Sequence, residues 1–499
     1  MQLVFKGNQD IHLTGNPQIT FFKMLHKRYS NFSMESIQQQ FNGSADFGRK
    51  LTCLISRNGD LVHKIYLQIE LPQIDCGTSN DNKFRWLNWI GHNIIKSAQI
   101  EIGGHVIDQH YGEWLHIWNE LSQTSGKQSG VANMIGNLPR LTQVVQGNPS
   151  NTGVIPSTTL YVPLQFWFCK NPGLALPLIA LQYNEIKLVV EFNEHSNCCW
   201  ATGKYKNTPP SIKNASLYID YIYLDTEERR KFTSEKHEYL IEQVQYNGQE
   251  TVNTQNNKIK LNFNNPVKEL VWVVQPISNI DTLYTANLGG PQFFNYTDAI
   301  DTTYFSGTPN NYLGQGMTGG NSNNIMWGLP ITDFASNTVA DTNNIIAPQS
   351  GQSNNVTLTN TNFYDITTQN VHSQTTTSSV VNLPLFDKGK SPTINAKIQI
   401  NSHDRISIRE GRYFNLVQPY QHHTNIPAPG INTYSFALYP EDLQPSGTCN
   451  FSQVDSANLL LTLTPESVEN QRLCNIRIYA TSYNIFKISE GIGRLTYAK

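Results

Sequence analysis

The sequence predicts an all-β chain folded as two sandwiches or barrels of mainly antiparallel sheet. Three observations carry this reading. Apolar residues recur at every second position in many short runs; Gly, Pro and Asn punctuate those runs; and 499 residues exceed what one ordinary core holds. Residues two apart on a strand point to the same side, so each alternating run presents one face to a core and a more polar face outward.

The runs follow in order. Ile65, Leu67, Ile69 and Leu71 share one face of KIYLQIELP, and Ile186, Leu188, Val190 and Phe192 share one face of NEIKLVVEF. Later come Ile259, Leu261 and Phe263; Leu270, Trp272 and Val274; Ile398 and Ile400; and Leu459, Leu461 and Leu463. In QIEIGGHVIDQHYGEWLHIWNEL, residues 99–121, Gly103-Gly104 between two alternating stretches predicts a tight hairpin, because the turns that match strand twist need positive φ. After Gly112, the spacing of Trp114, Ile117, Trp118 and Leu121 predicts a helix with one apolar face, leaving Glu113, His116 and Glu120 to look outward. The densest charge cluster, within YLDTEERRKFTSEKHEYLIEQ, reads as a solvated linker helix over residues 225–243, with Thr226 and acidic residues at its start and Arg229, Arg230 and Lys231 after them. The same order of elements recurs on either side of it. NEIKLVVEF is followed by SLYIDYIYLD, and ANLLLTL by NIRIYATSYNIFKI, which suggests an internal duplication.

Composition excludes several function classes. Charged residues make up 15% of the chain and the net charge is −2, so no global basic field is available to hold nucleic acid. Aromatic residues stay at 11%, against a disordered chain; the missing charge is replaced by Asn, Thr, Ser and Gln, a surface suited to close contact with other proteins. The first residues lack the unbroken apolar core of a signal peptide, and no apolar run approaches the roughly 20 residues of a membrane span. Seven cysteines without a CxxC pair read as reduced thiols in a cytosolic setting, and the adjacent Cys198 and Cys199 are set aside as a metal site. From Glu269 to Asp387 there is no lysine or arginine; Tyr304, Phe305, Tyr312, Trp327 and Phe334 in this region point to long, ordered, uncharged loops.

Reactive constellations are sparse. HExxH is absent, and His110 with Glu113 makes only an HxxE pair. His422-His423 in a Pro-rich loop reads as solvated. LGQGMTGG contains GxGxxG at Gly314, Gly316 and Gly319, but no helix pattern follows, so it is a loop. No GKS/T phosphate loop and no GxSxG elbow occur. Paired carboxylates for glycoside hydrolysis are a matter of geometry that spacing does not address. No catalytic, cofactor or metal residue is assigned. In NPQITFFKMLHKRYSNF, Ile19, Phe22 and Tyr29 can share a helical face while Lys23, Lys27 and Arg28 lie elsewhere; such an arm could meet an anionic membrane or an acidic partner, or dock on its own domain. Six Asn-x-Ser/Thr sites (Asn31, Asn42, Asn214, Asn295, Asn355, Asn450) are expected to stay unglycosylated by the host route, because a secretory signal is lacking.

Several stretches together resemble the major capsid proteins of nucleocytoplasmic large DNA viruses. They are LTGNPQITFFKMLHKRYSNF, EIGGHVIDQHYGEWLHIWNEL, LPLIALQYNEIKLVVEF, DTEERRKF with HEYLIEQ, PSGTCNFSQVDSANLLLTL and YATSYNIFKISEGIGRLTYAK, in order from end to end. The region between Val273 and Val381 carries no matching motif. The resemblance implies a double jelly roll: two tandem eight-stranded sandwiches, with an arm at 1–29, the first roll at 30–224, the linker helix at 225–243, the second roll with its long loops at 244–488 and a tail at 489–499. It further implies a homotrimer of pseudo-hexagonal outline, neighbouring capsomers in an icosahedral shell assembled in the host cytoplasm, and no enzyme activity. Minor capsid proteins and an internal viral membrane would lie near the arm residues Lys23, Lys27 and Arg28. The uncharged loops would form an outer tower. The rival readings are a capsid paralogue or assembly scaffold of the same fold, a carbohydrate- or receptor-binding sandwich, and a sandwich hydrolase using His110 or Glu113.

Overall fold

A computed structural model describes residues 7–16, 20–23, 26, 28–147, 153–203, 210–286, 289–299, 390–468 and 472–497. The first unit is built on β1 (Phe32–Gln40), β2 (Lys50–Leu54), β3 (Leu61–Leu71), β4 (Ile95–Ile102), β5 (His105–Tyr111), β6 (Thr158–Pro163), β7 (Ile186–Phe192) and β8 (Asn214–Leu224). They form two facing antiparallel sheets, ordered β1-β8-β3-β6 and β2-β7-β4-β5. The second unit uses β9 (His237–Val252), β10 (Asn256–Lys260), β11 (Pro266–Pro276), β12 (Thr393–Ile400), β13 (His403–Glu410), β14 (Ile431–Ser435), β15 (Ala457–Leu463) and β16 (Cys474–Ser489). Its sheets run β9-β16-β11-β14 and β10-β15-β12-β13, so the second unit repeats the first strand for strand.

The alternation read from the sequence explains each core. Ile65, Leu67, Ile69 and Leu71 of β3 meet Ile186, Leu188, Val190 and Phe192 of β7 in the first core; Leu270, Trp272 and Val274 of β11 meet Leu459, Leu461 and Leu463 of β15 in the second. Strand β11 departs from simple alternation. Its intervening Val271 and Val273 are also fully buried, in a third cluster outside both sandwiches. A strand covered on both faces needs a continuous apolar run, which is why KELVWVVQP is not period-two.

The duplication extends to the turns. Gly103 and Gly104 join β4 to β5 with φ of 60° and 82°; Asn401 and Ser402 join β12 to β13 with φ of 50° and 67°. Both hairpins close on an Ile–His pair, Ile102 with His105 and Ile400 with His403. After each of these hairpins a glycine starts a helix: Gly112 opens α1 (Gly112–Ser122), and Gly411 precedes a helix wound as a π turn over Tyr413–Val417 and continuing as Gln418–His422.

Two expectations need correction. The linker helix spans only Thr226–Ser234, capped by Asp225, whose side chain accepts from the Glu227 and Glu228 amides at 3.0 and 2.9 Å, and not by Thr226. Residues 237–243 are strand instead, because Tyr239 and Ile241 bury their side chains against the first core. The expected tail also folds: Ile492–Leu495 pairs with β16 after a turn through Glu490 and Gly491. It is tied to the first unit, with the Tyr183 amide donating to Gly491 O at 3.1 Å and the Gly493 amide donating to Asn184 Oδ1 at 2.7 Å. The uncharged loops, the glycine motif at Gly314, Gly316 and Gly319, and the tyrosine, phenylalanine and tryptophan residues cited with them lie outside the described residues.

Candidate functional site: the seam between the two sandwiches

A helix with four apolar residues on one side must bury that side. On α1 those residues are Trp114, Ile117, Trp118 and Leu121, and the surface that covers them is the outer face of the β9-β16-β11-β14 sheet: Val244, Val271, Val273, Ile431 and Tyr479. Leu115 points the other way, into the first core. The helix therefore belongs to the first unit by chain order and mortars the two units together. Its start is tightly seated. A Cβ on Gly112 would collide with the carbonyl oxygens of His92 and Ile95, so only glycine lets α1 leave β5 at this angle.

Charged and polar groups border this apolar strip. At the first turn of α1, the Glu113 carboxylate accepts from Arg477 Nε at 2.7 and 2.9 Å and from Nη2 at 2.6 Å, and from the hydroxyls of Tyr479 at 2.6 Å and Tyr296 at 3.1 Å. Arg477 and Glu113 are nearly buried; the opposite charge holds the guanidinium pKa up despite its burial, and burial raises the Tyr479 and Tyr296 hydroxyls, with the adjacent Glu113 adding to it. Asp108 of β5 accepts from the Val244 amide at 3.1 Å and pairs with His110 Nε2 at 2.9 Å. Further along, Glu242 of β9 bridges Lys170, at 2.8 Å, and the fully buried Lys268. Burial works against the Glu242 charge, yet the two lysines outweigh it and hold the carboxyl below its ordinary range.

The seam corrects the reading of residues 99–121 as part of the first unit alone. His116 does not look outward. It is buried, stacked on Phe294 at 4.4 Å between ring centroids, and burial, with neighbouring His92, pushes its pKa well down; His92 falls to about 3 by burial. Glu113 faces Arg477, and His110 stacks on Phe166 at 4.7 Å. The HxxE pair thus has two separate structural jobs and no common point of reaction. His423 is not solvated either: its ring lies between Glu441, at 3.1 Å from Nδ1, and buried Glu269, at 3.4 Å from Nε2. His422 is hydrogen-bonded to Leu438 O at 2.9 Å.

Cys198 and Cys199 are buried, with burial raising Cys198 well above its ordinary value and Cys199 to about 12; among the described residues no cluster of three metal-ligating side chains occurs. Among the described residues of NPQITFFKMLHKRYSNF, 20–23, 26 and 28–30 are not helical. Residues 20–23 make a turn, Phe22 is fully exposed, and a short helix without a surface for its apolar side is unstable. Lys23 and Arg28 are exposed on this segment; Lys27 and Ile19 lie outside the described residues. Arg477, Glu242, Lys268 and Asp108 escaped the sequence reading. The one local signal was Lys268-Glu269, two charges in an otherwise apolar strand, where β11 bulges against β16 between Val267 and Glu269.

Comparison with known proteins agrees with this architecture along the whole chain. Residues 20–225 match the family model described as "Major capsid protein N-terminus", and residues 228–494 match "Large eukaryotic DNA virus major capsid protein". The chain belongs to the major capsid proteins of large eukaryotic DNA viruses. The major capsid protein of Phaeocystis pouchetii virus is 45% identical, covering 100% of this chain and 99% of that protein. That of Paramecium bursaria Chlorella virus 1 is 35% identical over 100% of this chain and 98% of its own length. Among solved structures, a quasi-atomic model of the PBCV-1 virus capsid is 30% identical with a TM-score of 0.64, covering 96% of this chain and 100% of that one. The Faustovirus major capsid protein shares the fold at 13% identity, with a TM-score of 0.66 over 97% and 94% of the two chains. The fold is the double jelly roll of these capsid proteins. Members of the family are structural proteins, so this capsid protein is no enzyme, and the polar groups of the seam hold two rolls in register.

Proposed function

We propose that three copies of this chain form a pseudo-hexagonal capsomer, and that such capsomers tile an icosahedral shell. The observation that carries the reading is the repeated strand order: a brick of two like rolls, set side by side by α1, lets a threefold ring present six similar sides. A chain with only 15% charged residues limits like-charge repulsion between many crowded copies. Residues 30–224 would be the first roll and 237–488 the second, with the helix Thr226–Ser234 in their connection. Assembly in the host cytoplasm, beside minor capsid proteins, completes the proposal. The arm, with exposed Phe21, Phe22 and Tyr29 beside Lys23 and Arg28, and with Lys27 in the same segment, is proposed to lie at the inner base against minor capsid proteins or the internal membrane.

Light scattering coupled to size exclusion and negative-stain microscopy of the purified chain test the first proposal. Hexagonal particles of three chains are expected; stable single chains at high concentration overturn it. For the arm, a truncation lacking residues 1–29 is expected to keep its capsomers and lose flotation with anionic vesicles or capture of minor capsid proteins.

A further inference from the structure

A cavity of about 280 Å³ opens beside the seam, with Trp89, His116 and Asn137 of the first roll on one side and the stretches 291–297 and 428–429 of the second on the other. It lies just under the usual range for ligand cavities, about 300–1,000 Å³, and suits a molecule of one ring. Its most unusual wall is Trp89. This residue precedes the helical turn Ile90–Asn93 with φ of 55° and ψ of 43°, in the left-handed region that a bulky side chain enters only under strain. Its indole is only partly buried and lies 5.1 Å from the His116 ring, which stacks in turn on Phe294.

The polar groups of the lining point to the chemistry of an occupant. Asn137 Oδ1 accepts from the Trp89 amide at 3.4 Å, and Asn88 Oδ1 accepts from Arg85 Nη2 at 3.1 Å. Among the described residues the Nδ2 of neither asparagine has an acceptor, and His116 Nδ1 is buried without a partner. A buried polar atom left unpaired costs stability that a ligand can restore. Burial pushes the His116 pKa down, so its ring is neutral, one nitrogen donating and the other accepting. No lysine or arginine occurs among the described lining residues, so an anion finds no countercharge. Glu120 is the one carboxylate among them, and its Oε2 takes the Ala428 amide at 3.2 Å. Amide N–H donors aimed at a ligand repel an ammonium group and need oxygen. The matching molecule is neutral and rich in hydroxyls, which accept from the asparagines and pair with His116, while its C–H face packs on the rings of Trp89 and Phe294.

We propose that this cavity binds a monosaccharide, free or as the end residue of a glycan, with Trp89 as its stacking platform and Asn88, Asn137 and His116 as its hydrogen-bond partners. The site is separate from the shell-building role and does not depend on it. Because both rolls line the cavity, a bound sugar also ties one roll to the other.

The test uses the full purified chain and saturation-transfer difference NMR. The probes are glucose, galactose, mannose, fucose, xylose and N-acetylglucosamine, each as the free sugar and as its methyl glycoside, with tetramethylammonium as the cationic control. At least one sugar is expected to show transfer and to perturb tryptophan emission. Transfer to the methyl glycoside marks a glycan end as the source, and transfer to the free sugar alone marks the free molecule. Asn88→Asp and Asn137→Asp keep the oxygen that Arg85 and the Trp89 amide use and remove only the donor; each is expected to weaken sugar binding about fivefold, the effect of one hydrogen bond. Trp89→Gly, which relieves the left-handed backbone, is expected to abolish it. Sugar binding unchanged in all three variants lies elsewhere on the chain and overturns the site. Transfer to tetramethylammonium without any sugar overturns the ligand class, and no transfer to any probe overturns the proposal outright. If Trp89→Gly loses the near-ultraviolet circular dichroism of the folded protein, the two aspartate variants decide.

Discussion

Removing the Glu113 carboxylate is the sharpest perturbation of the seam. In Glu113→Ala, Arg477 keeps its charge in a nearly buried site and loses its bidentate partner, and the Tyr296 and Tyr479 hydroxyls lose their acceptor. Breaking a buried ion pair from one side costs about 3–5 kcal/mol, largely because the remaining charge stays desolvated. Arg477→Met alone should cost a similar amount, leaving an unpaired carboxylate. Together, in Glu113→Ala with Arg477→Met, the two changes remove both charges, and the double variant is expected to lose about 2–3 kcal/mol less than the sum of the two single variants. The assay is urea unfolding followed by tryptophan emission, since Trp114 and Trp118 lie in the seam and report its opening. The single variants should show an early red-shifting transition as the rolls part, before either core melts. Additive effects, or a loss below about 1 kcal/mol in Glu113→Ala, refute the assignment of this pair to holding the seam.

Other outcomes follow from the same geometry. His92 and His116 are buried with pKa values pushed down, His92 to about 3, so the unfolded chain binds more protons than the folded one below about pH 6.5, and stability falls as pH drops below that point by up to about 1.4 kcal/mol per unit for each histidine. Replacing His116 by Asn should flatten the dependence of melting temperature on pH between 6.5 and 4.5; an unchanged slope contradicts it. Ser402 holds φ at 67°, where glycine carries no penalty, so Ser402→Gly should stabilise by about 0.5–1 kcal/mol, measured as a raised denaturation midpoint. Gly112→Ala should destabilise by more than about 3 kcal/mol, because the clash is with backbone carbonyls that cannot rotate away; a well-folded Gly112→Ala protein shows the seat of α1 to be looser than described. Proteases that cleave at Lys or Arg should release 269–387 as one uncut stretch from denatured protein, visible by mass spectrometry.

Strand alternation and paired glycines were legible in the chain because they are local. Ile65 to Leu71 reads as a strand from period alone, and Gly103-Gly104 as a turn from backbone sterics. The apolar stripe of α1 was equally plain, since helical spacing places Trp114, Ile117, Trp118 and Leu121 on one side. What covers that stripe was not, because the spacing of residues in a helix carries no information about the partner across it. Glu113 looked solvated until the fold brought Arg477 beside it, and His423 until Glu269 and Glu441 did so.

The sequence by itself therefore determined the alternating strands, the Gly103-Gly104 hairpin, the apolar stripe of α1 and the family, all of which rest on neighbours within a few residues or on patterns along the chain. Tertiary structure alone decided that α1 joins the rolls, that β11 is buried on both faces, and that the charges at the seam are paired. Those contacts link residues more than a hundred positions apart, and a charge's state depends on the dielectric and the counter-charge that folding places around it.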